Sequence, residues 1–579
     1  MQNKLITTAF FLLTSLKILA QINTVGIVND ENNIPLPGAS IVNSTDGYGV
    51  VTDFDGKFSI TTNSQDILVI SYVGYQDFQI SGPFDANIVV QLTPDNALDE
   101  VVLTALGIRR TEKALGYSVQ GISASEINKV KATNIVNSLA GKVAGVNITG
   151  SAAGPAASSN ITIRGASSLM GNNQPLFVVN GMPITNELYG FDDGLNGSTS
   201  IDFGNAAQLI NTDDINAISV LKGPAASALY GSRAANGVIL IETKTGAYAA
   251  EELGVELNSS IQFSNPLKLP NYQNEFGSGG GGKYSYLNGS TYIGANENYD
   301  AYGENWGPRT NGQLIKQFNS NGVAVPFTPA PNNIRDFYQT GLTHSTNVAV
   351  NSNSETGQSR FSYTHLGNEG LIPNTDLERN TFQTSIGKSL FDDRLKVQFN
   401  SMFVRSTSDN IPNSGYDESS SVMYGWLWLP RQVAIDDLRD YWEPGKEGVQ
   451  QRYAENLWVN NPWFIANENT NAFQSNRFIS NLQLSYGFND YMSLRFRYGV
   501  DYVDEQRQYR RAPSTKGVLN GSYREDEISF RESNAEVLVN FDPTPQEENT
   551  LDIDFKIGGN LMSQQANFSV ANNPELQNF

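Results

Sequence analysis

No cysteine occurs anywhere in the 579 residues. That excludes a disulfide framework, a thiolate metal site and a cysteine nucleophile. Histidine is almost as scarce: His344 and His365 are the only 2, and neither sits in a ligand-spaced cluster, so no metal centre is expected. Basic residues are outnumbered, 38 Lys and Arg against 59 Asp and Glu, giving a formal charge of −21 and a pI of about 4.6. Such a balance, without a basic patch, argues against nucleic acid as a partner. Beyond the N-terminus no run approaches the roughly 18 apolar residues of a membrane-spanning helix. Only helices and closed barrels satisfy every backbone group in lipid, so a membrane role would have to be built from strands. Catalytic signatures are missing as well. There is no HExxH, no nucleophile elbow and no credible pair of carboxylates, and Gly277 to Lys283 lacks the Ser or Thr that a phosphate loop needs, having Tyr284 there instead. No enzyme activity and no cofactor are expected, and these glycines read as a flexible surface loop.

What is present starts with a secretory signal. Lys4 supplies the positive start, and Leu5 to Ala20 is mostly apolar and ends on a small residue, with cleavage expected after Ala20. Residues 21–93 read as a small β-sandwich. Val25 to Val28, Ala39 to Val42, Lys57 to Ile60 and Ile67 to Tyr72 are short strands separated by Pro, Gly, Asn and Asp turns. Asp53, Asp55 and Gly56 suggest a calcium loop, but Val51 and Thr62 occupy the positions where acidic ligands belong, so a plain turn is expected.

Residues 94–112 form a linker with a β-favouring run, Val101, Val102 and Leu103, flanked by charge. Such a run can add itself to a sheet edge of another protein, or simply serve as an interdomain strand. Residues 113–246 read as a small α/β unit. Ser123 and Glu126 fit a capping box, Ile135, Leu139 and Val143 share a helical face, and strands follow at 146–149, 161–164 and 176–180. Its end, DDINAISVLKGPAASALYGSRAANGVILIETKTG, reads as strand, turn, short Ala-rich helix over Ala225 to Tyr230, and strand.

From about residue 253 the pattern becomes long alternation. Met492, Leu494, Phe496, Tyr498, Val500 and Tyr502 share one face, and Ser493, Arg495, Arg497 and Asp501 share the other. Leu395, Val397, Phe399 and Phe403, then Phe478, Leu482, Leu484 and Tyr486, repeat the pattern, as do Leu551, Ile553, Phe555 and Ile557. Soluble strands run about 5 or 6 residues and membrane strands roughly 9 to 11. A one-residue slip would turn Arg495 and Arg497 toward lipid at about 2 to 4 kcal/mol each, which pins the register of a barrel. Tyr424, Trp426 and Trp428, Tyr441 and Trp442, and Trp458 and Trp463 fall in loops and suit either an interfacial girdle or stacking against a sugar or a lid protein.

The words IPLPGASI, TDFDGKFSI and ISYVGYQDF resemble the carboxypeptidase-regulatory-like sandwich that precedes the plug in SusC-type proteins. GVNITG, SSNITIRGASSLMGNNQPLFVVNGMPI and LKGPAASALYGSRAANGVI resemble the plug of TonB-dependent receptors, in the wording of the SusC/RagA branch. Asn180 stands where that family often has Asp. The resemblance implies a mainly β protein with a periplasmic N-terminal β-sandwich, an α/β plug, and the first part of a 22-stranded transmembrane antiparallel β-barrel over 247–579. It identifies LDEVVLTALGIRR as a TonB box, with Leu98, Asp99, Glu100, Val101, Val102, Leu103, Thr104 and Ala105 as the TonB-binding residues. Ser167, Ser168, Asn172, Asn173 and Gln174, in a plug loop, become candidates for substrate contact. The implied function is active import of oligosaccharides or other large nutrients across a Gram-negative outer membrane, driven by TonB and assisted by a SusD-like surface lipoprotein, with peptide import as the alternative. A passive porin would lack the plug, a signalling receptor would carry a further N-terminal domain, and a soluble carbohydrate-binding β protein would not need the long strands. About 9 or 10 long strands are countable, fewer than the roughly 22 of a barrel wide enough for a plug, so an incomplete transporter is expected. Asn572 to Glu575 reads as a turn, with no alternating strand ahead of Phe579.

Overall fold

The computed structural model describes residues 22–30, 34–45, 47–72, 75–84, 87–92, 101–103, 109–111, 119–128, 134–151, 154, 157–169, 172–186, 201–223, 230–248, 253–284, 305–317, 323–453, 459–541 and 555–576. The signal segment, Phe579, and Ala225 to Leu229 of the Ala-rich helix therefore lie outside the described residues. Two compact units are distinguished: Met1–Val101 with Thr111–Ala114, and Val102–Arg110 with Leu115–Phe579.

The first unit is a β-sandwich. One sheet orders Lys57–Thr62, Ile22–Asn29 and Asn87–Gln91; the other orders Gly49–Val51, Ser40–Asn43, Ile67–Ser71 and Phe78–Ser81. Alternation does the sorting, as Lys57–Thr62 shows by burying every second residue. Val28, Ile41, Phe58, Ile60, Leu68, Ile70 and Val90 meet between the sheets. Gly26 has to be glycine, because a Cβ there would run into the Phe58 ring and the Ile88 carbonyl. Three of these strands, Gly49–Val51, Phe78–Ser81 and Asn87–Gln91, are additional to the four expected from the sequence. Asp53 closes a plain turn by accepting from the backbone N–H groups of Asp55 at 3.0 Å and Lys57 at 2.8 Å.

The second unit opens with the plug, a five-stranded sheet ordered Val119–Ser123, Ile215–Leu221, Val238–Thr243, Leu176–Val179 and Met182–Ile184. Asn180 and Gly181, both at positive φ, make the tight turn between the last two strands. The Glu126 arm of the expected capping box is present, with the Ser123 N–H 3.4 Å from Glu126 Oε2. The second helix is one turn only, Ile135–Ser138, capped by Asn134; Leu139 and Val143 are buried beyond its end.

A nine-stranded antiparallel sheet follows, each strand beside its successor: Leu253–Ser264, Gly341–Ser354, Gly357–Glu369, Asp376–Leu390, Leu395–Ser408, Asn471–Asn489, Met492–Arg511, Ser522–Phe541 and Phe555–Asn573. The last of these runs through Asn572 and Asn573, correcting the expected turn. Phe555 and Ile557 share one of its faces as expected, and Leu551 and Ile553 lie outside the described residues; beyond Gly558 its two faces barely differ in polarity, so alternation does not show how far it runs. At one end 355–356 and 490–491 are tight turns, whereas at the other the described residues between 265 and 340 and between 409 and 470 form a thick loop layer.

The outward face of this sheet is banded. Tyr363, Phe382, Phe403, Phe478 and Tyr502 stand directly opposite one another across five neighbouring strands, a single aromatic row. Near the tight-turn end sit Phe391, Tyr486, Phe488, Tyr491 and Phe541. Between these levels the outward residues are mostly apolar, as with Ile386, Phe399, Leu482, Leu484, Phe496, Val500 and Val537, with Thr384, Lys388, Ser401, Ser480 and Ser533 interspersed. The interval is about ten residues per strand, or about 25 Å of height once a tilt of about 40° is allowed. Beyond the row the same face turns polar, with His365, Glu378, Arg405, Asn476 and Asp504.

Candidate functional site

The plug sits on the inward face of the large sheet, and buried arginines fix it there. Arg360 lies between Asp214 of the plug, at 3.1 Å, and Asn351 and Glu256 of neighbouring strands, at 2.7 and 3.4 Å. Ser362 donates to the same Asp214 oxygen at 2.7 Å. Arg477 grips Asp501 through two bonds of 2.8 and 2.6 Å and also donates to the Thr185 carbonyl of the plug at 2.8 Å. Arg497 donates to the Gly181 carbonyl at 2.8 Å, and plug Arg233 pairs with the fully buried Glu532 at 3.0 Å. Arg495 and Arg497 thus point inward, as the alternation required; Arg495 pairs with Glu536 at 3.1 Å. Apolar contact backs this up, with Met402, Val404 and Ile479 of the sheet in one cluster with plug residues such as Phe177, Ile218 and Ile239. Buried charges left without partners are costly, so these pairs specify one seat for the plug more than they stabilise it.

The segment expected to bind TonB is described only over Val101–Leu103, a short strand that shares a two-stranded sheet with Arg109–Thr111. Leu98, Asp99, Glu100, Thr104 and Ala105 lie outside the described residues.

The plug loop turns its polar groups on itself. Asn173 Oδ1 accepts from the backbone N–H groups of Ser167 and Ser168, each at 2.9 Å, while Ser167 Oγ donates to Asn236 at 2.6 Å. Asn236 Nδ2 in turn donates to the Asn172 carbonyl at 2.7 Å, a role that nothing in the sequence marked. Gln174 donates to Asn160 at 2.8 Å and accepts from the Ile161 N–H at 3.1 Å. All five candidates take part in the loop's own hydrogen bonds, yet Ser167, Ser168 and Asn172 are exposed, and Leu169 stands in solvent beside them.

The loop layer corrects two expectations. Gly277, Ser278, Gly279 and Gly280 are buried, not a flexible surface loop. Trp306, Gly307 and Pro308 bond back to them: the Gly307 N–H donates to the Gly277 carbonyl at 3.0 Å and the Trp306 N–H to Gly279 at 2.9 Å. A Cβ at Gly277 would strike Phe327, and one at Gly279, whose φ is +124°, would strike the Lys283 carbonyl. Close backbone approach is the reason for the glycines. Nor do the loop aromatics form the girdle, which is the row through Tyr363 and Tyr502. Trp426, on the helix Val422–Trp428, and Trp463, on the helix Pro462–Glu468, pack edge-on against Phe337 at 4.8 and 4.9 Å. Burial, then the Glu468 carboxylate 2.8 Å away, push the Tyr441 hydroxyl up to about 12. Trp458 lies outside the described residues. Arg431 ties the layer together, donating to Asn333 at 2.6 Å, Asn274 at 2.8 Å and the Gln273 carbonyl at 3.1 Å. A cleft of about 380 Å³ opens in this layer among Leu269, Tyr272, Tyr338, Tyr416, Tyr424 and Trp426. No group of three or more His, Cys, Asp or Glu able to hold a metal occurs among the described residues.

A small α/β unit seated by buried ion pairs on a long-stranded sheet with a lipid-ready outer band is the arrangement that the resemblance to TonB-dependent receptors implied. Family models agree: the TonB-dependent Receptor Plug Domain matches residues 111–238, and the CarboxypepD_reg-like domain matches residues 24–103. Over most of its length the chain is similar to the TonB-dependent receptor SusC of Bacteroides thetaiotaomicron, 28% identical over 496 residues that cover 83% of this chain and 44% of that protein. TonB-dependent receptor P26 of Formosa agariphila is 28% identical over 504 residues, 84% of this chain and 43% of the relative. Among solved structures, the RagAB peptide importer in its open-open state superposes with a TM-score of 0.61 at 20% identity, covering 82% of this chain and 50% of that one. A second structure, of the RagAB peptide transporter, gives 0.58 at 19% identity, over 79% and 49% of the two chains. The chain carries the plug and regulatory-like domains of SusC/RagA-type receptors and shares their fold. It spans about half the length of the curated relatives it matches.

Proposed function

We propose that this chain belongs to a TonB-energised importer of large nutrients in the outer membrane. The observation that carries the reading is the two-faced sheet: one face holds the plug through Arg360, Arg477, Arg497 and Glu532, and the other bears an apolar band beneath an aromatic row. In this reading the sandwich and the segment around Val101–Leu103 face the periplasm, and the loop layer faces outside, where longer loops of such barrels lie. TonB pairs with the segment Leu98 to Ala105 as an added strand and pulls part of the plug from its seat. The cargo is an oligosaccharide or another large nutrient; peptides are the second reading, favoured by the likeness to a structure described as a peptide importer. Ser167, Ser168, Asn172, Asn173 and Gln174 are then the candidate cargo contacts, with the exposed Leu169 among them.

Proline at Val102 removes a ladder N–H while leaving the plug untouched. The purified full-length protein is expected to retain the periplasmic domain of TonB on an affinity column and to lose it with Val102→Pro. Equal retention by both would remove Val101–Leu103 from the TonB contact. We further propose a SusD-like lipoprotein over the loop layer. Extraction of outer membranes in mild detergent should recover that lipoprotein with the barrel, and repeated recovery of the barrel alone would count against the lid.

A further inference from the structure

Strand register brings together the only two histidines of the chain. His344 and His365 are 21 residues apart, on the neighbouring strands Gly341–Ser354 and Gly357–Glu369, and their spacing does not mark them as ligands. Pairing sets His365 opposite Thr346 and His344 opposite Gly367, so both rings stand on the outward face just beyond Tyr363 of the aromatic row. Their Nε2 atoms are 3.4 Å apart, with ring centroids at 5.4 Å and planes at 42°, so nitrogen edges meet and not ring faces. Gly367 clears the space, since a Cβ there would strike the His344 ring.

The neighbours of His365 set its tautomer. Glu378 as a carboxylate only accepts, so the amide group that meets it at 3.0 Å is Nδ2 of Asn380. Asn380 Oδ1 therefore faces the other way and accepts from Tyr363 Oη at 2.7 Å and from His365 Nδ1 at 3.1 Å. With its proton on Nδ1, His365 turns a bare Nε2 lone pair toward His344. The hydrogen bond across the pair is long, and the exposed His344 can pass its own proton to Nδ1 through water, so no proton has to be lost for both Nε2 atoms to act as ligands. Glu369, Asp376 and Glu378 make this part of the outward face acidic, while Arg405, opposite Asn380, is drawn away to Gln474 at 2.8 Å.

We propose that His344 and His365 form a chelating pair for a divalent transition ion of the zinc class. A metal about 2.1 Å from each nitrogen subtends about 110° across a gap of 3.4 Å, close to tetrahedral. The backing of His365 by Asn380 and Glu378 is the outer-shell support that orients a metal-bound imidazole. Imidazole suits zinc, copper and nickel, whereas magnesium and calcium seek oxygen. Two protein ligands leave the rest of the shell to water, so the ion is exchangeable and not a structural centre. The pair lies on the face of the sheet opposite the plug, so it stands whether or not the import reading does.

Calorimetric titration of zinc into the purified full-length protein tests it. Saturable binding is expected, and a large excess of magnesium should leave it in place. Asn380→Ala removes only the support of His365 and should weaken the site about ten-fold, the lower end of what loss of an outer-shell partner costs. His344→Ala and His365→Ala each remove a ligand outright and should weaken the same site at least as much, or abolish it. His344 is exposed, so its replacement leaves the packing of the sheet intact and guards against a fold artefact. Absence of saturable zinc binding, displacement of zinc by magnesium, or affinity unchanged in either histidine variant or in Asn380→Ala overturns the assignment.

Discussion

At the scale of single residues, arginine decides where the plug sits. Planar guanidinium groups reach a carboxylate and several carbonyls at once, and Arg360 and Arg477 each join plug to sheet in this way. Asp214 and Arg360 are both almost wholly buried, so removing one strands the other. Arg360→Met is expected to cost about 3 to 5 kcal/mol locally, the usual penalty for breaking a buried pair. Hydrogen exchange in the plug strand Ile215–Leu221 is the readout, and its amides should exchange faster. The double variant Asp214→Asn, Arg360→Met leaves neither charge stranded and should recover most of the protection. Protection unchanged in the single variant would mean that the pair does not seat the plug.

At the scale of elements, strands explain the most and loops the least. Side-chain alternation has a period of two, so Arg495, Arg497 and Phe399 could be assigned to faces from the sequence, and the structure keeps each assignment. Alternation marks the start of the strand Phe555–Asn573 at Phe555 and Ile557 but not its extent, because beyond Gly558 its two faces are equally mixed. Burial of the Gly277 to Gly280 turn depends on Trp306 and Gly307, some thirty residues away, and no local pattern encodes that pairing. The same holds for the aromatics. Trp426 and Trp463 invite a girdle by type, yet Phe337 draws them into a core, while the true row is assembled from one residue on each of five strands. Asn236 closes the plug loop from a distant stretch and could not be found by spacing.

The row also sets where lipid should begin. Ile386 lies on the outward face below it, paired with Phe399, whereas Gln506 lies on the outward face above it. Ile386→Arg is expected to destabilise the inserted sheet by about 2 to 4 kcal/mol, and Gln506→Arg by no more than about 1 kcal/mol. Urea titration of the full-length barrel in liposomes measures both. Equal costs at the two positions would remove the band as a lipid boundary.

At the scale of the whole molecule, the architecture sets a plug against a sheet that it does not cover evenly. The contacts between them are specific but interrupted by polar cavities, including one of about 250 Å³ beside Gly181, Arg233, Arg497 and Glu536. In the import reading, a seat of that kind suits a part that is displaced in each transport cycle. On that reading the energy to unseat the plug has to enter through the segment that precedes it. Uptake of the labelled cognate nutrient by cells carrying the full-length protein without Asp99 to Ala105, at normal surface abundance, is the most direct measurement. Import driven through TonB requires uptake to fall to background, and uptake at the wild-type rate would contradict it.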